Sequence, residues 1–240
     1  MINTIDKETT ASLAPVLEIV GQAKIAFRTL LVNFSEHSAG LTPELYHRYL
    51  SMQYHLTKHV QRHFFAAAGH HSLMDRKKLR DFLVNFANEE EPHYLIAEND
   101  LRKMGLKPLP CPLDVALWQD YFLSRVADRP FHRLGATCVL ENLGAGAGTT
   151  GRLLLKNASF LSTENTRFLD IHFHEVLPHG DQIIAALRSV DLTPDEVEDA
   201  RKGAIVGSIF YLRLARWVFG TDPVLRLFDS DDVTVPRERS

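Results

Sequence analysis

The apolar residues of this chain follow a helical spacing from about residue 11 to residue 219, and this pattern limits the folds open to it. In the first long segment they recur every three or four residues, which is the period of one face of an α-helix. Later segments repeat the pattern between short breaks containing glycine or proline, and none shows the two-residue alternation of a β-strand. The sequence therefore predicts an all-α protein: a single domain of about seven helices over residues 1–240, with its core at about 11–220 and a loose tail at 222–240.

Residues that start and stop helices mark the predicted boundaries. Thr42 and Thr193 are each followed by proline, and a hydroxyl side chain before a first-turn proline is typical of a helix N-terminus. Thr163 is predicted to cap a further helix. Gly105 is predicted to end one, because glycine readily adopts the left-handed conformation found there. The predicted helices span 11–36, 43–68, 75–105, 113–128, 130–161, 163–189 and 194–219.

The composition is that of a globular protein, with 45% hydrophobic and 24% charged residues. A net charge of −3 gives no reason to expect binding to nucleic acid or to an anionic membrane. No apolar run approaches the ~20 residues of a membrane span, and the N-terminal residues lack the pattern of a secretory signal. Cys111 and Cys138 match no metal-binding or redox spacing. Free thiols suit a reducing compartment, so we expect a cytoplasmic protein.

The segment 168–182, FLDIHFHEVLPHGDQ, combines histidines and carboxylates within a pattern that otherwise indicates a buried helix. His172 and His179 are seven residues apart, so they lie on one face of a helix, and Glu175 falls between them. Two imidazoles and a carboxylate on one stripe suit a transition metal. The same pattern also fits a helix whose histidines reach water or cap neighbouring groups.

Glu90 and His93 form a second candidate pair within a predicted helix. They are three residues apart and share a helix face. Glu-x-x-His is the pattern that di-iron carboxylate bundles direct inward from their helices. A charged, solvated face with the histidine at its edge would also explain these two residues.

Glu141 is the lone acid in an apolar run rich in small residues, with Arg133 and Arg152 as the nearest charges in the chain. A carboxylate in such surroundings must be paired, protonated or metal-bound. The candidate groups together supply two carboxylates and three imidazoles, a set close to that of a non-haem di-iron site. The members of this set are Glu90, His93, Glu141, His172 and His179.

Prolines and glycines near these residues predict local departures from helix geometry. Pro92 and Pro178 each directly precede a candidate histidine, and a proline inside a helix causes a kink or bulge unless it marks a boundary. The glycines between residues 144 and 151 predict a bend or a very close neighbour. A phosphate-binding loop is disfavoured there, because the sequence shows neither a preceding strand nor a Gly-Lys-Ser/Thr ending.

A second histidine row, His55, His59 and His63, follows a four-residue spacing in the predicted helix 43–68. Such a row can bind zinc or haem, but more often it is polar padding or lines a substrate pocket. No acidic residue of this helix would complete a cation site, so the row is a weaker metal candidate than the Glu/His set.

The segments 89–105, 139–141 and 172–180 resemble the haem-oxygenase-like superfamily, and the resemblance extends over about residues 11–220. The chain is most similar to the di-iron oxidases of that superfamily. Their metal ligands follow the order Glu-x-x-His, then Glu, then His-x-x-x-Asp-x-x-His. The resemblance therefore implies an all-α haem-oxygenase-like bundle with an iron site. The implied ligands are Glu90, His93, Glu141, His172 and His179.

One ligand position departs from that order. The aspartate of the family falls on Val176, and a valine side chain cannot bind a metal. The adjacent Glu175 can take its place only if the helix bulges, which Pro178 would permit. The resemblance thus implies one or two iron ions, with Glu175 as the sixth ligand; without that substitution the second metal position is incomplete.

Two other branches of the superfamily fit the chain less well. The run LENLGAGAGTTGRLLL is similar to the glycine-rich helix that lies over haem. However, Gln22 stands near the position of the haem-binding histidine of that branch, so no haem is expected. The TenA thiaminases use a catalytic cysteine, and neither Cys111 nor Cys138 lies where that cysteine is expected.

The resemblance implies an iron-dependent oxidase that activates dioxygen and oxidises a small organic substrate, with electrons from an external donor. The expected substrate pocket lies between the segment around Gly144 and Gly148 and the face of the second helix that carries Tyr54, His55 and His59. Proteins with this fold often form dimers, so a homodimer is a further expectation. The alternatives are a metal-free TenA- or PqqC-like protein that binds or converts a small molecule, and a structural protein whose Glu/His set is fortuitous.

Overall fold

The computed structural model describes residues 12–173 and 179–222 of the chain, and all regular secondary structure in these ranges is helical. The predicted all-α fold is therefore confirmed for the described residues. No helix among them is long and apolar enough to cross a membrane. The helices are α1 Ala14–His37, α2 Pro43–Thr57, α3 Gln61–Ala68, α4 Lys77–Glu90, α5 His93–Lys103, α6 Leu113–Val126, α7 Pro130–Lys156, α8 Arg167–Phe173, α9 His179–Arg188 and α10 Pro194–Val218, with a 3₁₀ turn at His71–Leu73.

The helix-start signals at Thr42 and Thr193 are confirmed. The Thr42 hydroxyl accepts a hydrogen bond from the Leu45 backbone N–H at 3.3 Å, and Thr193 forms a reciprocal capping box with Glu196. Gly105 has a φ of 73° just beyond α5, as expected of a residue that ends a helix. Each of these features depends on a few adjacent residues, so local sequence is sufficient to predict it.

Two predicted helices are each divided in two. The segment 43–68 breaks between α2 and α3, because His59 has a φ of 67°, a left-handed conformation that an α-helix does not contain. The segment 75–105 is divided at Pro92, which lies between the end of α4 and the start of α5. Proline lacks an N–H and its ring clashes with the preceding turn, so Pro92 marks a boundary rather than a kink within one helix.

The prediction that Thr163 caps a helix is wrong. Thr163 lies in a turn, and α8 begins four residues later at Arg167. The first turn of α8 is capped by Asp100 of α5, whose carboxylate accepts a hydrogen bond from the Phe168 N–H at 2.7 Å. A cap supplied by a distant helix cannot be found from the neighbouring residues. Pro178 lies outside the described residues.

Helices α7 and α10 pack against each other backbone to backbone. A Cβ atom at Gly135 would lie 1.8 Å from the Ala200 carbonyl oxygen, and one at Gly203 would lie 1.7 Å from the His132 carbonyl oxygen. Only glycine fits at either position, because both distances are far below van der Waals contact. Helix α7 also packs on α1 and α9, so it is the element against which the neighbouring helices are positioned.

The glycine-rich part of α7 contains the predicted bend. Gly148 has a φ of 55° and a ψ of −144°, which is outside the helical region and accessible to glycine because it has no Cβ. The residues before the bend include Glu141, and the residues after it continue to Lys156. The bend therefore lies two turns beyond the candidate ligand.

Candidate metal centre

Four of the predicted ligands converge where three helix ends meet the middle of α7. Glu90 is the last residue of α4 and His93 is the first residue of α5. His179 is the first described residue of α9, and Glu141 lies within α7. The break at Pro92 leaves Glu90 and His93 as neighbours, so the helix boundary itself belongs to the site.

One carboxylate contacts both of the buried histidines. Glu90 Oε2 lies 2.9 Å from His93 Nδ1, and Glu90 Oε1 lies 2.6 Å from His179 Nδ1. Glu141 Oε2 lies 3.7 Å from the same His179 nitrogen. Glu90, Glu141 and His179 each offer one ligand atom, and these three atoms lie within 4.8 Å of one another. This spacing is suited to a single metal ion.

The burial and the chemistry of these side chains show whether a metal ion fits the cluster. Glu90, His93 and His179 are only 5%, 7% and 7% exposed. The partners of the Glu90 carboxylate within the described residues are the imidazoles of His93 and His179, at 2.9 and 2.6 Å. A buried carboxylate needs a cation beside it, and either a protonated imidazole or a metal ion can fill that place. Carboxylate oxygen and imidazole nitrogen are also ligands that suit iron, so the residues present fit the implied metal.

Contacts within the cluster shift the pKa values of its own residues. Burial opposes the charged form of Glu90, but the contacts from His179 and His93 outweigh it and hold the pKa of Glu90 well below its usual value. Burial likewise opposes the charged form of His179, but Glu141 and Glu90 raise its pKa to about 11. The pKa of His93 is raised by Glu90 against the same effect of burial. Without a metal, the cluster is therefore a set of ion pairs.

His172 lies beside this cluster. The centroid of its ring is 5.1 Å from that of His93, and the side chain is exposed. Its Nδ1 donates a hydrogen bond to the Phe168 carbonyl oxygen at 2.7 Å, which orients the ring and leaves Nε2 as the nitrogen that can bind a metal. Glu175 and Val176 lie outside the described residues, so the sixth ligand stays a prediction.

A buried arginine that was not among the predicted ligands also lines the cavity beside the cluster. Arg133 is 1% exposed, and its Nη1 donates to Thr137 Oγ1 at 2.6 Å. The rings of Phe64, Trp118 and Phe122 lie 5.0, 5.6 and 5.6 Å from the guanidinium carbon. The guanidinium is thus held among aromatic rings, which attract a cation through their faces.

The charge of Arg133 is maintained by the two carboxylates of the site. Burial lowers the pKa of Arg133 to about 10, and the charges of Glu141 and Glu90 oppose this shift. The guanidinium therefore remains protonated at neutral pH. The sequence signal that points to it is the four-residue spacing of Arg133, Thr137 and Glu141, because side chains four apart share a helix face.

A cavity of ≈450 Å³ opens beside the cluster. Its lining includes Glu90, Glu141, His172 and His179, together with the two arginines at 133 and 152. This volume lies in the range that accommodates a small organic molecule. Apolar side chains form much of the remaining wall: Leu56, Val60, Phe64, Leu140, Phe168 and Leu169.

The structure places the predicted pocket residues in two different settings. Gly144 and Gly148 of α7 line the cavity. Tyr54, His55 and His59 are not among the residues that line this cavity. The residues of the α2–α3 segment that do line the cavity are Tyr49, Gln53, Leu56, Thr57, Val60 and Phe64.

The difference between these two sets of residues follows from the face of α2 on which each lies and from the break after α2. Positions 49, 53 and 56 share one face of a helix, whereas Tyr54 and His55 belong to the adjacent face. His55 Nε2 donates to the Leu109 carbonyl oxygen at 2.8 Å, so that side chain is directed to the loop before α6. His59 is exposed within the break.

Comparison of the sequence found no matching family model and no matching curated protein. A structural match was found to a crystal structure from Shewanella denitrificans OS217, described as a domain of unknown function with a heme oxygenase-like fold. The two chains superpose with a TM-score of 0.75 and 19% sequence identity, over 93% of this chain and 98% of that chain. This protein therefore has a haem-oxygenase-like fold, which confirms the fold that the sequence motifs implied.

Proposed function

We propose that this protein is a non-haem iron oxidase that uses dioxygen to oxidise a small organic substrate. The proposal is carried by one observation: Glu90, Glu141 and His179 each place a ligand atom within 4.8 Å of the other two. These residues come from three helices and border a cavity suited to a small molecule. The haem-oxygenase-like fold supports the proposal, because the ligand motifs resemble those of the di-iron oxidases that share this fold.

The proposed ligands are the three clustered residues together with His93 and His172, and Glu175 is a sixth candidate outside the described residues. Iron bound in this way supplies one-electron chemistry with dioxygen, which amino acid side chains do not provide. The electrons for dioxygen reduction are assigned to an external donor. One or two iron ions per chain remain compatible with this ligand set.

The protein residues hold, orient and shield the ion. Glu90 is buried and contacts two imidazoles, so its carboxylate is fixed before a metal binds. The hydrogen bond from His172 to the Phe168 carbonyl oxygen sets the orientation of that ring. Apolar side chains such as Leu56 and Leu169 line the cavity and limit the access of water to the site.

Metal content and oxygen uptake test the proposal. The protein is treated with a chelator, loaded with Fe(II) under nitrogen, desalted and assayed for iron per chain. We expect retained iron, and oxygen consumption when air and ascorbate are supplied. Glu90→Gln keeps the size of the side chain but removes its charge, so we expect it to fold and to lose the iron.

A matched substitution shows whether any loss is specific. Glu98→Gln makes the same chemical change at an exposed position on α5, so it should retain iron at the wild-type level. Circular dichroism of all three proteins checks that the helices are intact. Background iron in the wild type, with no oxygen uptake in the presence of reductant, would overturn the proposal.

A second candidate function is metal-free binding or conversion of a small molecule. The observation that favours it is that Arg133 and His179 together can balance the charges of Glu90 and Glu141 without a metal. Under this alternative, chelator treatment leaves the melting temperature unchanged and added Fe(II) does not raise it. Under the iron proposal, bound Fe(II) raises the melting temperature, because a ligand that binds only the native state stabilises it.

A further inference from the structure

Arg133 places a fixed positive charge beside the proposed metal site. In the described part of the chain, the carboxylates whose charges act on this guanidinium are Glu141 and Glu90. A divalent ion bound by these two carboxylates neutralises both of them, because its two positive charges equal their two negative charges. The guanidinium keeps its own charge in a buried position without a protein counter-charge, which is unfavourable.

The other neighbours of Arg133 do not replace that counter-charge. The rings of Phe64, Trp118 and Phe122 attract a cation but carry no net charge. Arg133 Nη1 donates to the neutral hydroxyl of Thr137, and Arg133 Nε has no hydrogen-bond acceptor within the described residues. Arg133 is among the residues that line the cavity, so a negatively charged group in the cavity can supply the missing counter-charge.

We infer that Arg133 binds a carboxylate of the ligand, and that the substrate is a small carboxylic acid with an apolar part. This inference rests on the proposed function, since it is the metal ion that neutralises Glu90 and Glu141. A guanidinium matches a carboxylate in charge and in the arrangement of its N–H donors. The apolar part of the ligand lies against the wall that contains Leu56 and Leu169.

Arg102 provides a matched control for this assignment. It is an exposed arginine on α5 and is not among the residues that line the cavity. Replacement of Arg102 should leave carboxylate binding unchanged, whereas replacement of Arg133 should not.

Calorimetric titration with hexanoate and hexanamide tests the inference. The two probes have the same chain length and differ in charge at the head group. For protein loaded with Fe(II) under nitrogen, we expect hexanoate to bind at least about tenfold more tightly than hexanamide. The preference should shrink in metal-free protein, because Glu90 and Glu141 then balance Arg133. Arg133→Gln should abolish it, Arg133→Lys should keep part of it, and Arg102→Gln should retain it.

Each result of these titrations either supports or overturns the binding of a carboxylate by Arg133. Equal affinity of the iron-loaded wild type for both probes overturns the inference, and this comparison needs no variant that might fail to fold. A full preference in Arg133→Gln, a loss in Arg102→Gln, or an undiminished preference in metal-free protein also overturns it. Failure to take up iron overturns the proposed function and the inference together, whereas iron uptake without a carboxylate preference overturns the inference alone.

Discussion

Two groups of histidines in this protein suggest metal binding from sequence, and the structure separates them. The first group is the α2–α3 row, which consists of His55, His59 and His63 at four-residue spacing. The second consists of His93, His172 and His179, of which His93 lies far from the other two in the chain. Only this group contains two histidines with a shared partner, because the side chains of His93 and His179 both contact the carboxylate of Glu90.

The members of the α2–α3 row each have a separate environment. His55 donates to the Leu109 carbonyl oxygen, and His59 is exposed in the break between the helices. His63 is fully buried and its Nε2 donates to Gln119 Oε1 at 2.7 Å. Regular spacing along the chain therefore does not bring these three imidazoles to one point.

Nearby charge, rather than spacing, distinguishes the two groups. Burial lowers the pKa of His63 to about 3, and Arg133 adds to this shift. Burial acts in the same direction on His179, but Glu141 and Glu90 reverse it and raise the pKa to about 11. A buried histidine next to acids is thus a candidate ligand, whereas one next to an arginine is kept neutral by its surroundings.

The largest expected difference between the groups is in metal affinity. His179→Ala removes a ligand atom of the cluster, so we expect Fe(II) to bind at least about 100-fold more weakly, measured by competition with a coloured chelator. His55→Ala makes the same change in the α2–α3 row and should leave the affinity unchanged. Equal losses in the two variants would remove the distinction between the groups.

The next difference is in the response to acid. His63 has a pKa of about 3 in the folded protein against an ordinary value of 6.5, so the unfolded chain binds more protons between these values. Its contribution should therefore make stability fall as pH is lowered from 6.5 towards 3, by up to about 1.4 kcal/mol per pH unit. Urea unfolding of wild type and His63→Gln between pH 4 and 7 measures this slope. An identical slope in the variant would show that His63 is not the group responsible.

His172 is the exposed member of the second group, and its replacement is expected to give an intermediate effect. The side chain is exposed and lies beside the cluster, with its ring 5.1 Å from that of His93. His172→Ala should weaken Fe(II) binding by about three- to tenfold, less than His179→Ala, because a more exposed ligand contributes less. A loss as large as that of His179→Ala would show that His172 is an equal member of the ligand set.

The smallest expected effect is on stability within the α2–α3 row. His55→Ala removes the donor to the Leu109 carbonyl oxygen, so we expect a loss of about 1 kcal/mol in the free energy of unfolding. Urea unfolding at pH 7 measures it. A loss above about 3 kcal/mol would indicate that His55 supports more of the structure than this one hydrogen bond.

The parts of the fold that depend on adjacent residues could be predicted from sequence. The N-terminal caps at Thr42 and Thr193 are examples, because hydroxyl, proline and acid act within a single turn. Glu90 and His93 could be identified as a pair because they are three residues apart. Their convergence with Glu141 and His179 was implied by the family resemblance rather than by spacing, and the structure brings these four groups together.

The parts that depend on contacts between distant segments could not be predicted. The left-handed conformation of His59 divides a helix that the apolar pattern had joined, and no local residue type signals it. The cap of α8 by Asp100 comes from another helix. Arg133 was visible as a charge near Glu141, but its aromatic surroundings come from Phe64 of α3 and from α6.

The close contact between α7 and α10 has a consequence for efforts to redesign the ligand range of this protein. Gly135 and Gly203 leave no room for a larger side chain, so α7 cannot be shifted without separating the two backbones. Because Glu141 is carried on α7, a change at this contact would displace a candidate ligand as well. Enlargement of the cavity is therefore better begun on the opposite wall, at Leu56 and Leu169, where a smaller side chain adds volume and leaves Glu141 in place.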